Sequence, residues 1–266
     1  MDADAFSDKY GSSALVTGAA EGLGAEFARQ LAERGLDVLL VDVQHDKARA
    51  RAEAFAGDYG VATRAIECDL ARPDFLVDLS AETKDSEIGL LVCCAGLGTS
   101  GEFATTPIEG MKRTVQINCV ATLELVHHYS APMVERGRGG IIIIASNSAY
   151  SGSPYVANYA ATKAYDLTLG EGLWYEFAPK GIDVFAFSPQ GTNTPGLRRG
   201  QPDLKPGEVR EGVMLPEEAV SIALGGLGRL PSLRPDMPEG YSRKRQEVIE
   251  TTGGIAKSFA TYTAAE

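Results

Sequence analysis

The stretch Ala14-Leu-Val-Thr17-Gly18-Ala-Ala-Glu21-Gly22-Leu23-Gly24-Ala-Glu-Phe-Ala-Arg-Gln-Leu-Ala-Glu-Arg34 decides the fold. A short apolar run enters a turn with three closely spaced glycines, and a longer run without glycine or proline leaves it, which reads as strand, turn and helix. Glycine there lets backbone N–H groups approach an anion at the helix N-terminus, where unpaired donors and the helix dipole favour negative charge. An ordinary tight turn is the plain alternative. A second strand, Leu36-Asp-Val-Leu-Leu-Val41, follows where a dinucleotide-binding turn requires one, and Asp42 ends it. A carboxylate at that tip, roughly 20 residues beyond the turn, accepts hydrogen bonds from adenosine ribose hydroxyls and repels a 2′-phosphate. Glu21 adds negative charge within the turn, and no basic residue follows Asp42 until Lys47, so the expected cofactor is NAD rather than NADP. A turn former closing a strand is the competing reading of Asp42.

Strand-like runs recur at 14–17, 38–41, 61–66, 89–92, 141–145 and 184–187, with helix-like runs between them. The alternation predicts an α/β fold: a Rossmann-type doubly wound parallel sheet with helices on both faces, three layers in all. No linker or repeat divides residues 1–266, which are read as a single domain. After 187 the pattern becomes irregular. No clear seventh strand running into a paired-glycine turn is visible beyond Arg229, only a helix-like run from Ser242 to Glu250.

In Asn158-Tyr159-Ala-Ala-Thr-Lys163 a phenol and an ammonium are four positions apart, on one face of a helix. Free tyrosine titrates near ~10 and free lysine near ~10.4, so the ammonium must favour the phenolate if the pair is to exchange protons near neutral pH. Taken alone, that spacing also occurs by chance on solvated helices.

Together these residues resemble the short-chain dehydrogenase/reductase family, in its shorter single-domain branch, from about Ser13 to Thr194. The family's Thr-Gly-x-x-x-Gly-x-Gly turn is matched by Thr17, Gly18, Gly22 and Gly24, and its Tyr-x-x-x-Lys pair by Tyr159 and Lys163. The resemblance implies a catalytic serine at Ser146, ending Ile141-Ile-Ile-Ile-Ala-Ser146, and a catalytic asparagine at Asn118 inside the preceding long helix. With four positions and a turn in register, chance is no longer the competitor. As the family implies, Tyr159 exchanges the substrate proton and Lys163 favours its phenolate and binds the nicotinamide ribose. Ser146 then holds the substrate oxygen, and Asn118 holds a water linking Lys163 to solvent. The implied cofactor contacts are Gly18, Glu21, Gly22, Leu23, Gly24, Asp42, Asp69, Leu70, Cys94, Ala95, Gly96, Tyr159, Lys163 and Thr194.

Two segments depart from the family. Cys93-Cys94-Ala95-Gly96 stands where Asn-Asn-Ala-Gly is common, which keeps close backbone packing and loses asparagine hydrogen bonds. Pro189-Gln190-Gly191-Thr192-Asn193-Thr194 replaces a glycine by glutamine, with Thr194 kept for the nicotinamide carboxamide. The glycine- and proline-rich segment about 190–215 is expected to close over the substrate, and the segment about 230–266 is divergent. Arg198 and Arg199 read as solvated loop residues, with an acidic substrate group as their alternative partner. Divergent endings occur in family members acting on bulky apolar ketones.

Composition agrees with a soluble enzyme. The chain is 44% hydrophobic without a long uncharged apolar run, so a core is available and no membrane span is expected. Its first dozen residues lack a basic start and an apolar stretch, so a cytoplasmic location is expected. Cys68, Cys93, Cys94 and Cys119 show no zinc-ligand spacing and are read as buried reduced thiols, with no metal site. A net charge of −11 argues against nucleic acid as a partner. By resemblance, the outer faces of two long helices, 107–129 and 158–177, build a homodimer or homotetramer. The expected activity is NAD-dependent interconversion of a largely apolar secondary alcohol and its ketone, the substrate being a small molecule. A non-catalytic NAD-binding regulator and a nucleotide-sugar epimerase or dehydratase of the longer family branch are the rivals. The first need not keep all four catalytic positions, and the second needs a larger C-terminal domain than the chain after Thr194 offers.

Overall fold

Isoleucine-, valine- and leucine-rich runs with every residue buried, such as Ile88–Cys93 and Gly139–Ile144, suit strands covered on both faces. The computed structural model describes residues 3–238 and 240–263. Its elements, in chain order, are α1 Ala3–Tyr10, β1 Ser13–Thr17, α2 Gly22–Glu33, β2 Asp37–Asp42, α3 His45–Tyr59, β3 Thr63–Glu67, α4 Phe75–Thr83, β4 Ile88–Cys93 and α5 Ile108–Val115. A π-helical turn, Gln116–Val120, leads straight into α6 Ala121–Arg136, followed by β5 Gly139–Ile144 and α7 Ala157–Phe177. The chain continues through β6 Ile182–Phe187, β7 Gly191–Thr192, α8 Pro195–Gly200, β8 Val213–Met214, α9 Pro216–Gly226, β9 Ser232–Leu233 and α10 Gly240–Thr263.

Seven strands form one parallel sheet in the order β3-β2-β1-β4-β5-β6-β9. One face packs Val16, Leu40, Val92 and Phe185 against Phe27 and Leu31 of α2 and Val220 of α9. The other packs Leu15, Leu91, Ile141 and Ile143 against Leu79 of α4 and Leu125 and Met133 of α6. This is the doubly wound, three-layer arrangement of a single domain. Strand order reverses between β1 and β4, and in such sheets ligands bind in the crevice beyond the carboxyl ends of the strands at that point. Thr17, Asp42, Cys93 and Ile144 are the carboxyl-terminal residues of β1, β2, β4 and β5.

Three expectations need correction. A seventh strand does exist: Ser232–Leu233 pairs in parallel with Ala186 and Phe187. Pro231 and Pro235 bracket it, which leaves two ladder residues and hides any alternation; proline is tolerated there because the strand is at the sheet edge. Second, the long helix read as ending near residue 129 continues to Arg136 through Pro132 and stops at Gly137, whose φ of +68° closes the last turn. Third, the helix-like run after Ser242 belongs to a longer α10, whose Arg245 Nη2 donates to Glu171 Oε2 of α7 at 2.6 Å.

Candidate active site

The glycine turn is shaped by what a side chain would strike. Gly18 has φ +69° and a Cβ on it would stand 2.8 Å from Ala95 Cα; a Cβ on Gly24 would collide with the Gly18 carbonyl. Gly22, at φ +63°, opens α2 and lies under the side chain of Thr194. Leu23 packs partly buried against the core. Bare backbone with free N–H groups at the start of a 12-residue helix suits a diphosphate.

Asp42 is buried, and its carboxylate holds the turn: Oδ2 accepts from Ala20 N at 2.9 Å and Oδ1 from Gln44 N at 2.8 Å. An ionised carboxylate offers about four acceptor sites, so two remain for ribose hydroxyls. Glu21 is differently engaged. Arg199 of α8 reaches it at 2.9 Å and Lys47 of α3 at 3.4 Å. Burial alone would push the Glu21 carboxyl up, but those two cations hold it below its usual value. Arg199 stays largely exposed, as a solvated arginine would, while Arg198 is half-buried and its Nη1 donates to Asn193 Oδ1 at 2.6 Å. Asp69 accepts from Ala71 N at 3.0 Å and pairs with Arg113 at 3.1 Å, while the Leu70 side chain enters the core beside Leu39 and Phe75. From Leu70 only backbone is offered to a cofactor.

Thr17 Oγ1 clasps the switch point. It accepts from Cys94 N and Ala95 N, both at 3.1 Å, and so ties the end of β1 to the chain leaving β4. Burial pushes the Cys94 thiol up to about 12, against the pull of Lys163. Farther along, a Cβ on Gly96 would stand 3.5 Å from Lys163 Nζ and 3.7 Å from Asn118 Oδ1, and one on Gly98 would stand 3.9 Å from the Tyr159 ring. Gly96 and Gly98 thus bring the backbone leaving β4 close beside Lys163, Asn118 and Tyr159. These residues fit a nicotinamide dinucleotide.

Asn118 sits in the π-helical turn, fully buried. Its Oδ1 accepts from Leu97 N at 2.9 Å, and its Nδ2 donates to Leu97 O at 3.0 Å and to Thr162 Oγ1 at 2.9 Å. Both amide protons are spent, so the side chain works as a clamp between the switch-point loop and α7. Lys163 Nζ donates to Ile144 O at 2.8 Å and to Asp166 Oδ2 at 2.9 Å. Burial works against the ammonium, yet Asp166 and the Tyr159 phenol hold its pKa above the ordinary lysine value. Ser146 lies two residues past Ile144; its Oγ accepts from Ser148 Oγ at 2.9 Å and donates to Asn147 Oδ1 at 3.3 Å. The hydroxyl is thereby fixed at the strand end, its one proton engaged by Asn147.

Thr194 caps α8, its Oγ1 accepting from Leu197 N at 3.2 Å, with its methyl over Gly22. Asn193 organises the segment that follows, donating to Lys205 O at 2.8 Å and Glu208 O at 2.7 Å. The sequence reading passed over Asn193, Ser148, Thr162 and Asp166. Of these only Asp166 left a signal, an acidic residue three positions after Lys163 on the same helix. Among the described residues no three His, Cys, Asp or Glu are grouped to hold a metal ion, and no helix is long and apolar enough to cross a membrane.

Comparison with known proteins follows the same outline. The family model of the short chain dehydrogenases matches residues 12–204. A 7beta-hydroxysteroid dehydrogenase of Clostridium sardiniense is 32% identical over 261 residues, 96% of this chain and 99% of that one. A solved short-chain dehydrogenase of Sphingobium yanoikuyae in complex with NADPH superposes with a TM-score of 0.78 at 30% identity, over 92% of this chain and 95% of that one. An inactive hydroxysteroid dehydrogenase-like protein 1 of Mus musculus is 32% identical over 184 residues, 68% of this chain and 56% of that one.

Proposed function

The chain belongs to the short-chain dehydrogenase family, and from that premise we propose that it is an NAD-dependent oxidoreductase interconverting a bulky, largely apolar secondary alcohol and its ketone. The observation that carries the reading is the series of close backbone approaches, Gly18 to Ala95, Gly96 to Lys163 and Gly98 to Tyr159. It suits an extended dinucleotide whose reactive end lies beside an acid-base pair. Bound there, the coenzyme supplies the acceptor or donor of hydride.

The chain's own groups do the rest. Tyr159 takes the hydroxyl proton in oxidation and returns it in reduction. Lys163, fixed by Ile144 O and Asp166, favours the phenolate electrostatically and faces the nicotinamide ribose. Ser146 turns its proton from Asn147, 3.3 Å away, to the substrate oxygen, steadied by Ser148. Asn118 keeps the loop at Leu97 against α7, and Asp42 offers its two remaining acceptor sites to the adenosine ribose. The NADPH bound by the Sphingobium protein makes the coenzyme the point to test first.

Phe103, Met111 and Tyr155, with Thr99, Thr106 and Asn158, line a small mixed cleft beside Tyr159, and the hydroxysteroid relatives are what favour an apolar substrate. The segment 190–215 acts as its lid, and the relatives that act on hydroxysteroids favour a polycyclic one. Exposed Val115, Leu123 and Tyr165 on the outer faces of α5 to α7 support a homo-oligomer, and four free cysteines support a cytoplasmic location. The decisive experiment is a panel of hydroxysteroids and small secondary alcohols offered with NAD and with NADP, followed by nicotinamide absorbance. Turnover of bulky alcohols with NAD bears the proposal out. Turnover of short alcohols alone, or of none, contradicts it. That panel also answers the inactivity of the mouse relative.

A further inference from the structure

Among the described residues a buried carboxylate stands beside the acid-base pair, and so far it has served only to hold Lys163 in place. Asp166 is 1% exposed and lies three positions after Lys163 on α7. Its Oδ2 takes an N–H from Lys163 Nζ at 2.9 Å, and the two side chains are 6% and 2% exposed. Its Oδ1 is buried and accepts no hydrogen bond. Burial raises the Asp166 pKa above the usual carboxylate value, against the pull of Lys163; a carboxylate half satisfied by one lysine is costly to keep charged unless its charge matters to that lysine.

The groups that face this pair come from three elements. Tyr159 and Tyr165 stand on α7 itself, Cys93 and Cys94 at the end of β4, and Cys119 on the π-helical turn. Burial raises all three thiols, to about 12 for Cys94 and about 11 for Cys119, so they are neutral near neutral pH. The remaining ammonium therefore has one nearby counter-charge, and Asp166 has one nearby cation. Of the three Nζ protons, one goes to Ile144 O and one to Asp166, leaving one for the side of Tyr159.

We propose that Asp166 is a positioning residue that holds Lys163 as half of a buried ion pair, partly neutralising its field at Tyr159 and thereby setting the pH range in which the enzyme oxidises alcohols. This rests on the catalytic reading of Tyr159 and Lys163. An unpaired buried ammonium would favour the phenolate more strongly, but would itself shed its proton more readily. The pair keeps the ammonium charged and accepts a higher working pH for oxidation. Asparagine at 166 keeps the shape and a hydrogen-bond acceptor while removing the charge.

Two measurements test this. In the wild-type protein labelled with ¹⁵N-lysine, with the Lys163 Nζ resonance assigned by its absence in Lys163→Arg, the ammonium is expected to persist to higher pH than that of ordinary lysines. Titration at or below their range overturns the ion pair, whatever the variants do. In Asp166→Asn, the Lys163 titration is expected to move down, and the pH of half-maximal kcat for oxidation to move down by about one unit. A folded variant whose pH profile coincides with wild type overturns the proposal, since a merely structural carboxylate would change stability and not that profile. The nitrogen titration needs no turnover. An active Tyr159→Phe enzyme would overturn the catalytic reading while leaving the ion pair standing, so the two failures are distinguishable.

Discussion

Replacing Asp42 by asparagine removes one charge from the proposed coenzyme site while keeping an acceptor for Ala20 N, now held at 2.9 Å. The amide cannot accept equally well with both heads, so the contact from Gln44 N, at 2.8 Å, weakens. A 2′-phosphate carries roughly −1.5 to −2 charge. Facing a carboxylate at about 6 Å with an effective dielectric near 20, it meets a Coulomb repulsion of about 4–6 kcal/mol, which solvent and nearby cations reduce to about 1–3 kcal/mol. Those cations are on hand, since Lys47 and Arg199 both pair with Glu21. The wild-type protein is accordingly expected to favour NAD over NADP by roughly 10- to 100-fold in kcat/KM on one substrate, and Asp42→Asn to reduce that ratio by about tenfold. Asp42→Ala should narrow it too, but with a loss of stability, because Ala20 N and Gln44 N then lose their partner. Kinetics with both coenzymes on one alcohol are the assay. Equal kcat/KM in the wild type, a preference for NADP, or a ratio unmoved in Asp42→Asn refutes the assignment.

Further outcomes follow from the same geometry. Gly18→Ala puts a side chain at φ +69° with its Cβ 2.8 Å from Ala95 Cα, so a loss of about 2–4 kcal/mol in urea-induced unfolding and weaker coenzyme binding are expected; a neutral change contradicts the close approach. Burial pushes the Cys94 thiol up to about 12, so at pH 8 iodoacetamide should label it about 10³-fold more slowly than a free thiol, and mass spectrometry after peptide digestion reads this directly. Arg199→Ala frees Glu21 from α8. The folded-state pKa of Glu21 is lowered, so its stabilising contribution is full above its unfolded value and disappears as pH falls through the folded one. The variant should therefore lose a few tenths of a kcal/mol at pH 7 and nothing near pH 2, with proteolysis of residues 190–215 faster at neutral pH; equal stability differences at both pH values contradict the bridge.

What could be read from sequence was whatever the chain encodes locally. The glycine turn, the six long strands and the Tyr159/Lys163 spacing each depend on neighbours within one element, and they emerge in the structure with ends shifted by a residue or two. The edge strand Ser232–Leu233 escaped because two residues between prolines carry no periodicity; pairing with β6 makes the strand. The engagements of Glu21 with Arg199 and of Glu171 with Arg245 span 178 and 74 positions and leave no local trace. Asn118 was legible as a position, but not as a clamp, since its partners Leu97 and Thr162 are 21 and 44 residues away. Coenzyme preference was hardest, because it depends on a sum of charges, Asp42 and Glu21 against Lys47 and Arg199, that only the fold brings together.

The most direct test of the account is turnover by Tyr159→Phe on the best alcohol found in the panel. Fold and coenzyme binding should survive, since the hydrogen bond that ties Tyr159 to Thr162 is made by its backbone carbonyl, at 2.7 Å, and not by its hydroxyl. Loss of kcat by about 10²- to 10⁴-fold with coenzyme affinity retained is the predicted result, the range for a positioned acid-base group. A variant turning over within tenfold of wild type would contradict the claim that Tyr159 carries the proton.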